Sequence, residues 1–245
     1  MTDEERERLR EKARLIHDQL LETYGEPERH RLDPVSELVC TILSQNTNDL
    51  NRDVAYETLR ARFPTWEAVR DAPVEEVVEA IRPAGLANQK GPRIQQALRA
   101  ITEERGKLEL DFLADLPVEE AKAWLTRLKG VGPKTAAIIL LFSLDRPAFP
   151  VDTHVHRVSQ RLGLIGPGVT AEQAHDLLED LIPPENYYAF HLNLIEHGRL
   201  VCKAGRPRCE VCTIREYCDY YARVTTDDRR RTTDDLSPWS SVQRR

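Results

Sequence analysis

The sequence predicts an all-α fold, and three observations predict it. Apolar residues recur at three- and four-residue spacing in one segment after another, the period of a helix with one buried face. Glycines and prolines stand between these segments, where helices stop and start. No stretch alternates apolar and polar residues as a half-buried strand would, and no internal repeat is present.

Taken in order, Thr2 to Tyr24 reads as a helix. Thr2 and Glu5 make a capping-box pattern, Leu9, Ala13, Ile16 and Leu20 form one stripe, and Gly25 ends it. Asp33-Pro34 opens the next helix, with Asp as cap and Pro in the first turn. Leu38, Cys40, Ile42 and Leu43 are its apolar residues, and Cys40 reads as packing. The polar run Ser44 to Asp49 is a connector. Helices follow near Leu50 to Phe63, Thr65 to Ala72 and Val74 to Ile81, punctuated by Pro64, Pro73 and Pro83. Gly85 to Lys90 is expected as a turn before a helix that ends near Arg105. Beyond Val155, helices are expected near Ala171 to Leu181 and Glu185 to Leu200, and an unstructured polar tail from Thr225 to Arg245.

The stretch from Lys122 to Arg157, KAWLTRLKGVGPKTAAIILLFSLDRPAFPVDTHVHR, organises the chain. An amphipathic helix carrying Trp124, Leu125 and Leu128 meets Gly130-Val131-Gly132-Pro133, and a helix from Lys134 to Leu144, apolar on nearly every face, follows. Backbone N–H groups at the start of that second helix lack helical partners, and the dipole there favours an anion. From Lys122 to Lys134 the charged residues are Lys122, Arg127, Lys129 and Lys134, all positive. A Gly turn with local positive charge suits nucleic-acid backbone held without regard to sequence. An ordinary helical hairpin with solvated lysines is the plainer alternative. Lys134 sits where a helix dipole disfavours a cation and other cations are near in sequence. Both effects raise the neutral, nucleophilic fraction of an amine; a phosphate contact is the alternative role. The second helix advances about 15 Å at 1.5 Å per residue. Residues 145 to 151 can return that far at about 3.3 Å per residue, so Asp152 is expected to face Lys134 across a cleft. Asp152 also suits the N-cap of the helix that follows.

Composition narrows the class. The 245 residues carry 35 Lys and Arg against 41 Asp and Glu, a formal charge of −6. That argues against a generally basic nucleic-acid coat and leaves room for a local basic surface. The charged N-terminus is unlike a secretion signal, and no apolar run is long enough to span a bilayer. A reducing, cytoplasmic compartment is therefore expected, where clustered cysteines bind metal more often than they pair.

Cys202-x6-Cys209-x2-Cys212-x5-Cys218 is such a cluster. Zinc commonly takes two CxxC pairs. Only one is present, and the uneven loops suit a cubic iron–sulfur cluster better. Four cations in this loop, Lys203, Arg206, Arg208 and Arg215, outnumber Glu210 and Glu216, so it is a plausible second clamp on DNA backbone.

LKGVGPKTA, VDTH after a short apolar helix, and this cysteine spacing together resemble the endonuclease III family of helix-hairpin-helix DNA glycosylases, from about Leu32 to Cys218. The resemblance implies a two-lobed fold, with residues 34–146 as the central lobe. Residues 1–33 and 147–224 would form the second lobe, with a [4Fe–4S] cluster at 202–218. It implies Lys134 as nucleophile, Asp152 as its carboxylate partner, and a Schiff base that leads to strand nicking. Gly130, Gly132, Lys129 and His154 would contact duplex DNA. Gln45 or Asn46 would point an amide into the gap left by a flipped base, although the wording of this loop departs from the family's commonest form. Leu86, in the G-L-x-N-x-K segment, would wedge into the base stack; a leucine tucked into the core is the alternative. The implied partner is double-stranded DNA with damaged bases or abasic sites, bound by a monomer. A monofunctional adenine or mismatch glycosylase, or a metal-stapled DNA-binding module without catalysis, are the competing readings. The histidines carry no catalytic expectation.

Overall fold

The computed structural model describes residues 2–234, with side chains up to residue 226. Among the described residues the chain is helical throughout, without a strand. Its order is α1 (Asp3–Tyr24), α2 (Pro34–Ser44), α3 (Asp49–Arg62), α4 (Trp66–Asp71), α5 (Val74–Ala80) and α6 (Ala87–Arg105). Then come α7 (Val118–Thr126), α8 (Pro133–Ile138), α9 (Thr153–Leu162), α10 (Ala171–Leu181), α11 (Tyr187–Leu200) and α12 (Asp219–Asp234). The chain divides into two compact units, Glu28–Pro150 and Met1–Pro27 with Val151–Arg245.

In the Glu28–Pro150 unit the start signals work as their chemistry predicts. Asp33 Oδ1 accepts from Val35 N and Ser36 N at the head of α2. Asn48 and Thr65 cap α3 and α4 in the same way. Helices α2, α3, α6 and α8 bury one shared core that includes Leu38, Ile42, Leu59, Ile94, Leu98 and Ala136. Each fully buried side chain of this kind contributes roughly 1.5–3 kcal/mol.

Two local expectations change here. The apolar helix after the hairpin is α-helical only over Pro133–Ile138 and continues as a wider π-helical turn over Ile139–Ser143. The turn expected over residues 85–90 is shorter, because α6 already starts at Ala87 and Lys90 lies in its first turn. Gly85 has φ +66° and Leu86 φ +50°, so two left-handed residues suffice to change direction.

In the other unit, Thr2 Oγ1 accepts from Glu5 N at the start of α1, and Gly25, at φ +81°, ends it. Thr170 and Gln173 close a reciprocal capping box on α10. Ile16, Leu20, Val155, Leu178, Phe190 and Leu194 are buried among α1, α9, α10 and α11. The expectation of unstructured chain from Thr225 is corrected as far as Asp234, which ends α12. Low apolar content argues against burial, not against helix. Thr225 and Thr226 return their hydroxyls to the carbonyls of Tyr221 and Ala222 and stay helical. Residues 235–245, with Trp239, lie outside the described residues.

Candidate functional site

The hairpin turn joins α7 to α8. Leu128 and Val131 are buried and bonded to each other, Leu128 O accepting from Val131 N at 3.0 Å, so the loop between them is forced outward. Gly130 has φ +87°, and a Cβ there would stand 3.2 Å from Arg93 Cδ of α6. Gly132 has ordinary φ and meets nothing within 4 Å, which leaves open space at the head of α8. No side chain caps α8. The turn therefore presents bare backbone at a helix start, the arrangement that receives phosphate.

The basic patch is smaller than the sequence window suggests. Lys122 pairs with Glu119 at 2.9 Å, and Arg127 pairs with Glu104 at 2.7 Å while lying over the Trp124 ring. Lys129 stands exposed on the turn, and Lys134, second residue of α8, is half-buried. Behind α8 sits Glu37 of α2, 9% exposed, with Thr41 Oγ1 donating to it at 3.3 Å. Burial pushes the Glu37 carboxyl above the usual range, against the Thr41 bond and the pull of the Arg52 and Lys134 cations. A carboxylate within electrostatic reach of Lys134 escaped the sequence reading, since Glu37 looks there like one polar position on an apolar helix.

Gln45 and Asn46 follow α2 directly. Gln45 Nε2 donates to Gly130 O at 3.3 Å, so this loop and the hairpin turn are tied together. Asn46 is exposed, with φ +53°, a conformation asparagine tolerates better than most residues. Leu86 is 48% exposed and left-handed, so the core-packed alternative for it does not hold. Lys90 joins the two loops from beneath. Its Nζ, in a residue 1% exposed, donates to Leu43 O and to Ala84 O, each at 2.8 Å. The structure thus brings Gln45, Asn46, Leu86 and the hairpin glycines into one unit, braced by Lys90. The sequence offered no signal for this brace, because long cationic side chains usually read as solvated.

Asp152 caps α9, its Oδ1 accepting from His154 N and Val155 N at 2.8 Å each. His154 shares Nδ1 with Arg157 Nη2 at 3.1 Å, and His156 bonds the Val169 carbonyl. His154 is half-buried, its ring turned to Arg157.

Cys202, Cys209, Cys212 and Cys218 line one cavity, walled by Val158, Leu162 and Ile214. The loop that carries them is held by cations. Arg161 Nη1 donates to Cys202 Sγ at 3.3 Å and to Lys203 O at 2.8 Å, and its Nη2 to Ala204 O at 2.8 Å. Arg157 donates to Cys202 O and Gly198 O. Burial pushes the Cys209 and Cys218 thiols up, and that of Cys212 to about 11. Beside Cys212 lies His197, whose ring burial pulls down to about 4, and behind it Tyr24, pushed up to about 12.

Residues 39–184 match the family model described as HhH-GPD superfamily base excision DNA repair protein. Endonuclease III of Thermotoga maritima is 34% identical over 209 residues, 85% of this chain and 93% of that protein. A solved non-covalent endonuclease III–DNA complex superposes with a TM-score of 0.76 at 27% identity, covering 89% of this chain and 98% of that one. A trapped endonuclease III–DNA covalent intermediate also gives 0.76, at 28% identity over 88% and 98%. The hairpin, the fold and these likenesses agree: the chain belongs to the HhH-GPD superfamily of base excision DNA repair proteins and, within it, to the endonuclease III family.

Proposed function

We propose that this DNA glycosylase of base excision repair is bifunctional, removing oxidised pyrimidines from duplex DNA and then nicking the strand as an AP lyase. The observation that carries the reading is Lys134, an amine at the uncapped head of α8 beside the hairpin turn. A covalent endonuclease III–DNA intermediate among the similar structures supports it.

In this reading the target nucleotide leaves the stack, because its glycosidic bond is out of reach inside the duplex. Leu86 fills the gap and an amide of Gln45 or Asn46 faces the orphaned base. The neutral Lys134 amine attacks C1′ as the base departs with the bonding pair. Asp152 stabilises the positive charge that develops on the sugar and takes part in the proton transfers. The resulting aminal opens its sugar ring, O4′ leaving C1′ and taking up a proton, to give a Schiff base whose C2′ proton is acidic. Removal of that proton expels the 3′ phosphate, and water releases the enzyme. Lys129, Gly130, Gly132 and His154 hold the backbone meanwhile.

The four cysteines fit a [4Fe–4S] cluster, since all line one cavity rather than a single point. When bound, the cluster supplies a rigid, redox-capable iron–sulfide core. Arg161 and Arg157 orient its loop, and the cations there face DNA.

The deciding experiment is reduction with borohydride during turnover. A protein–DNA adduct should survive denaturing electrophoresis with wild type and vanish in Lys134→Gln, together with nicking. DNA binding should change by a few-fold only, as one cation among several is lost. Base release without an adduct would return the chain to the monofunctional glycosylases and Lys134 to a phosphate contact.

A further inference from the structure

Resting on the reading that the four cysteines hold an iron–sulfur cluster, we propose that Tyr24 and His197 form a buried hydrogen-bond relay that ends on the Cys212 sulfur and sets the cluster's reduction potential. The geometry is specific. Tyr24 Oη lies 2.9 Å from His197 Nδ1, and His197 Nε2 lies 3.5 Å from Cys212 Sγ. His197 is 1% exposed, so water does not compete for either nitrogen.

The direction of each bond follows from proton bookkeeping. A cluster-bound cysteine is a thiolate and has no proton to give. The proton between Cys212 and His197 must then sit on Nε2, which donates to sulfur. A neutral imidazole holds only one N–H, so Nδ1 is an acceptor and Tyr24 O–H must donate to it. Every atom in the chain from phenol to sulfur is then satisfied, with one proton per bond. Reversing the tautomer would leave a lone pair of Nε2 facing an anionic sulfur.

His197 is also fixed from its backbone. Its carbonyl accepts from Val201 N at 2.9 Å and from Cys202 N at 2.8 Å, so one residue touches the cysteine loop at Cys202 and again at Cys212. Tyr24 is the last residue of α1, held by Gly25, whose carbonyl accepts from Asn193 Nδ2 of α11 at 3.2 Å. The tyrosine ring meets the imidazole edge-on, with centroids 6.0 Å apart. The N-terminal helix thereby reaches the Cys212 sulfur through the Tyr24 hydroxyl, and touches the cysteine loop again where Thr23 Oγ1 donates to Thr213 Oγ1 at 3.0 Å.

A donor aimed at a ligand sulfur withdraws charge from it and favours the more reduced cluster, which raises the potential. His197 and Tyr24 are therefore positioning residues, and their test must read the cluster and not the activity. Tyr24→Phe removes only the hydroxyl, and His197→Phe keeps a ring but removes the N–H. Iron and acid-labile sulfide are measured first, then the midpoint potential by voltammetry, then the Fe–S stretching bands in H2O and D2O. Wild type should show bands that shift on deuteration. Tyr24→Phe should retain iron and sulfide, move the potential down beyond replicate scatter and weaken the deuterium shift. His197→Phe should move it further, and if that variant fails to load, Tyr24→Phe decides alone. A Tyr24→Phe protein with a full cluster and wild-type potential and bands overturns the relay. Wild-type protein without iron and sulfide would instead overturn the cluster reading beneath it.

Discussion

Leu86 breaks a local backbone rule, at the residue scale, on an exposed loop. A non-glycine residue in the left-handed region costs about 1 kcal/mol or more. Here that residue is a leucine, half exposed, one position after a glycine that would have served better. Leu86→Gly should therefore hold or raise the melting temperature, by the equivalent of about 0.5–1 kcal/mol. If Leu86 is the residue that fills the gap on flipping, this variant should also release bases from paired duplex far more slowly. A lesion opposite an abasic position, already unstacked, should be much less affected. Equal losses on both substrates would assign Leu86 to general binding. From sequence the residue could be named only by its place in G-L-x-N-x-K. Its exposure was not legible, since one leucine in a loop carries no periodicity. Lys90 was illegible for the opposite reason: its chemistry advertises solvent, and only the two carbonyls meeting above it make burial tolerable.

At the scale of elements, the hairpin was legible because glycine and proline act through backbone geometry, which is local. The two glycines are not equivalent, however. Gly130 needs its positive φ and lies against Arg93, whereas Gly132 has ordinary φ and open space around it. Gly130→Ala should cost about 1–2 kcal/mol of stability, from left-handed strain and the close Arg93 contact. Gly132→Ala should leave stability within about 0.5 kcal/mol, as expected away from packing. It should still weaken duplex binding, if the space above it is where phosphate approaches the bare N–H groups. Urea denaturation and duplex titration of the two variants separate these effects, and intact binding by Gly132→Ala would remove that glycine from the interface. The helix beyond was legible as buried but not in its pitch. When every face is apolar, a 3.6-residue period and a wider turn give the same pattern, so the π-helical turn over Ile139–Ser143 left no trace in the sequence.

For the whole molecule, the question is how a chain of formal charge −6 binds a polyanion. Net charge was plain from composition, but the pairing of charges was not, because partners are remote in sequence. Arg10 meets Asp180 at 2.8 Å, and Lys12 meets Asp219 at 2.8 Å. Arg29 and Arg31 share Asp145. Exposed pairs of this kind contribute about 0–1 kcal/mol each to stability, yet they neutralise much of the surface. Lys129, on the exposed turn, and Lys203, Arg206 and Arg208, on the cysteine loop, stay exposed to solvent. Attraction to DNA is then a property of a few positions and not of the sum. It is also short-ranged, since fields are screened within about 8 Å at physiological salt. Affinity should accordingly fall as a power of salt concentration, each phosphate contact adding roughly 0.9 to the logarithmic slope. Lys129→Gln should lower that slope by about one contact and weaken damaged and undamaged duplex alike, since a phosphate contact reads no base. Binding titrations of both duplexes from low to physiological salt measure slope and affinity together. A Lys129→Gln protein with unchanged slope would place the turn away from the phosphates, and one that lost affinity only for damaged duplex would make Lys129 a reader of the lesion instead.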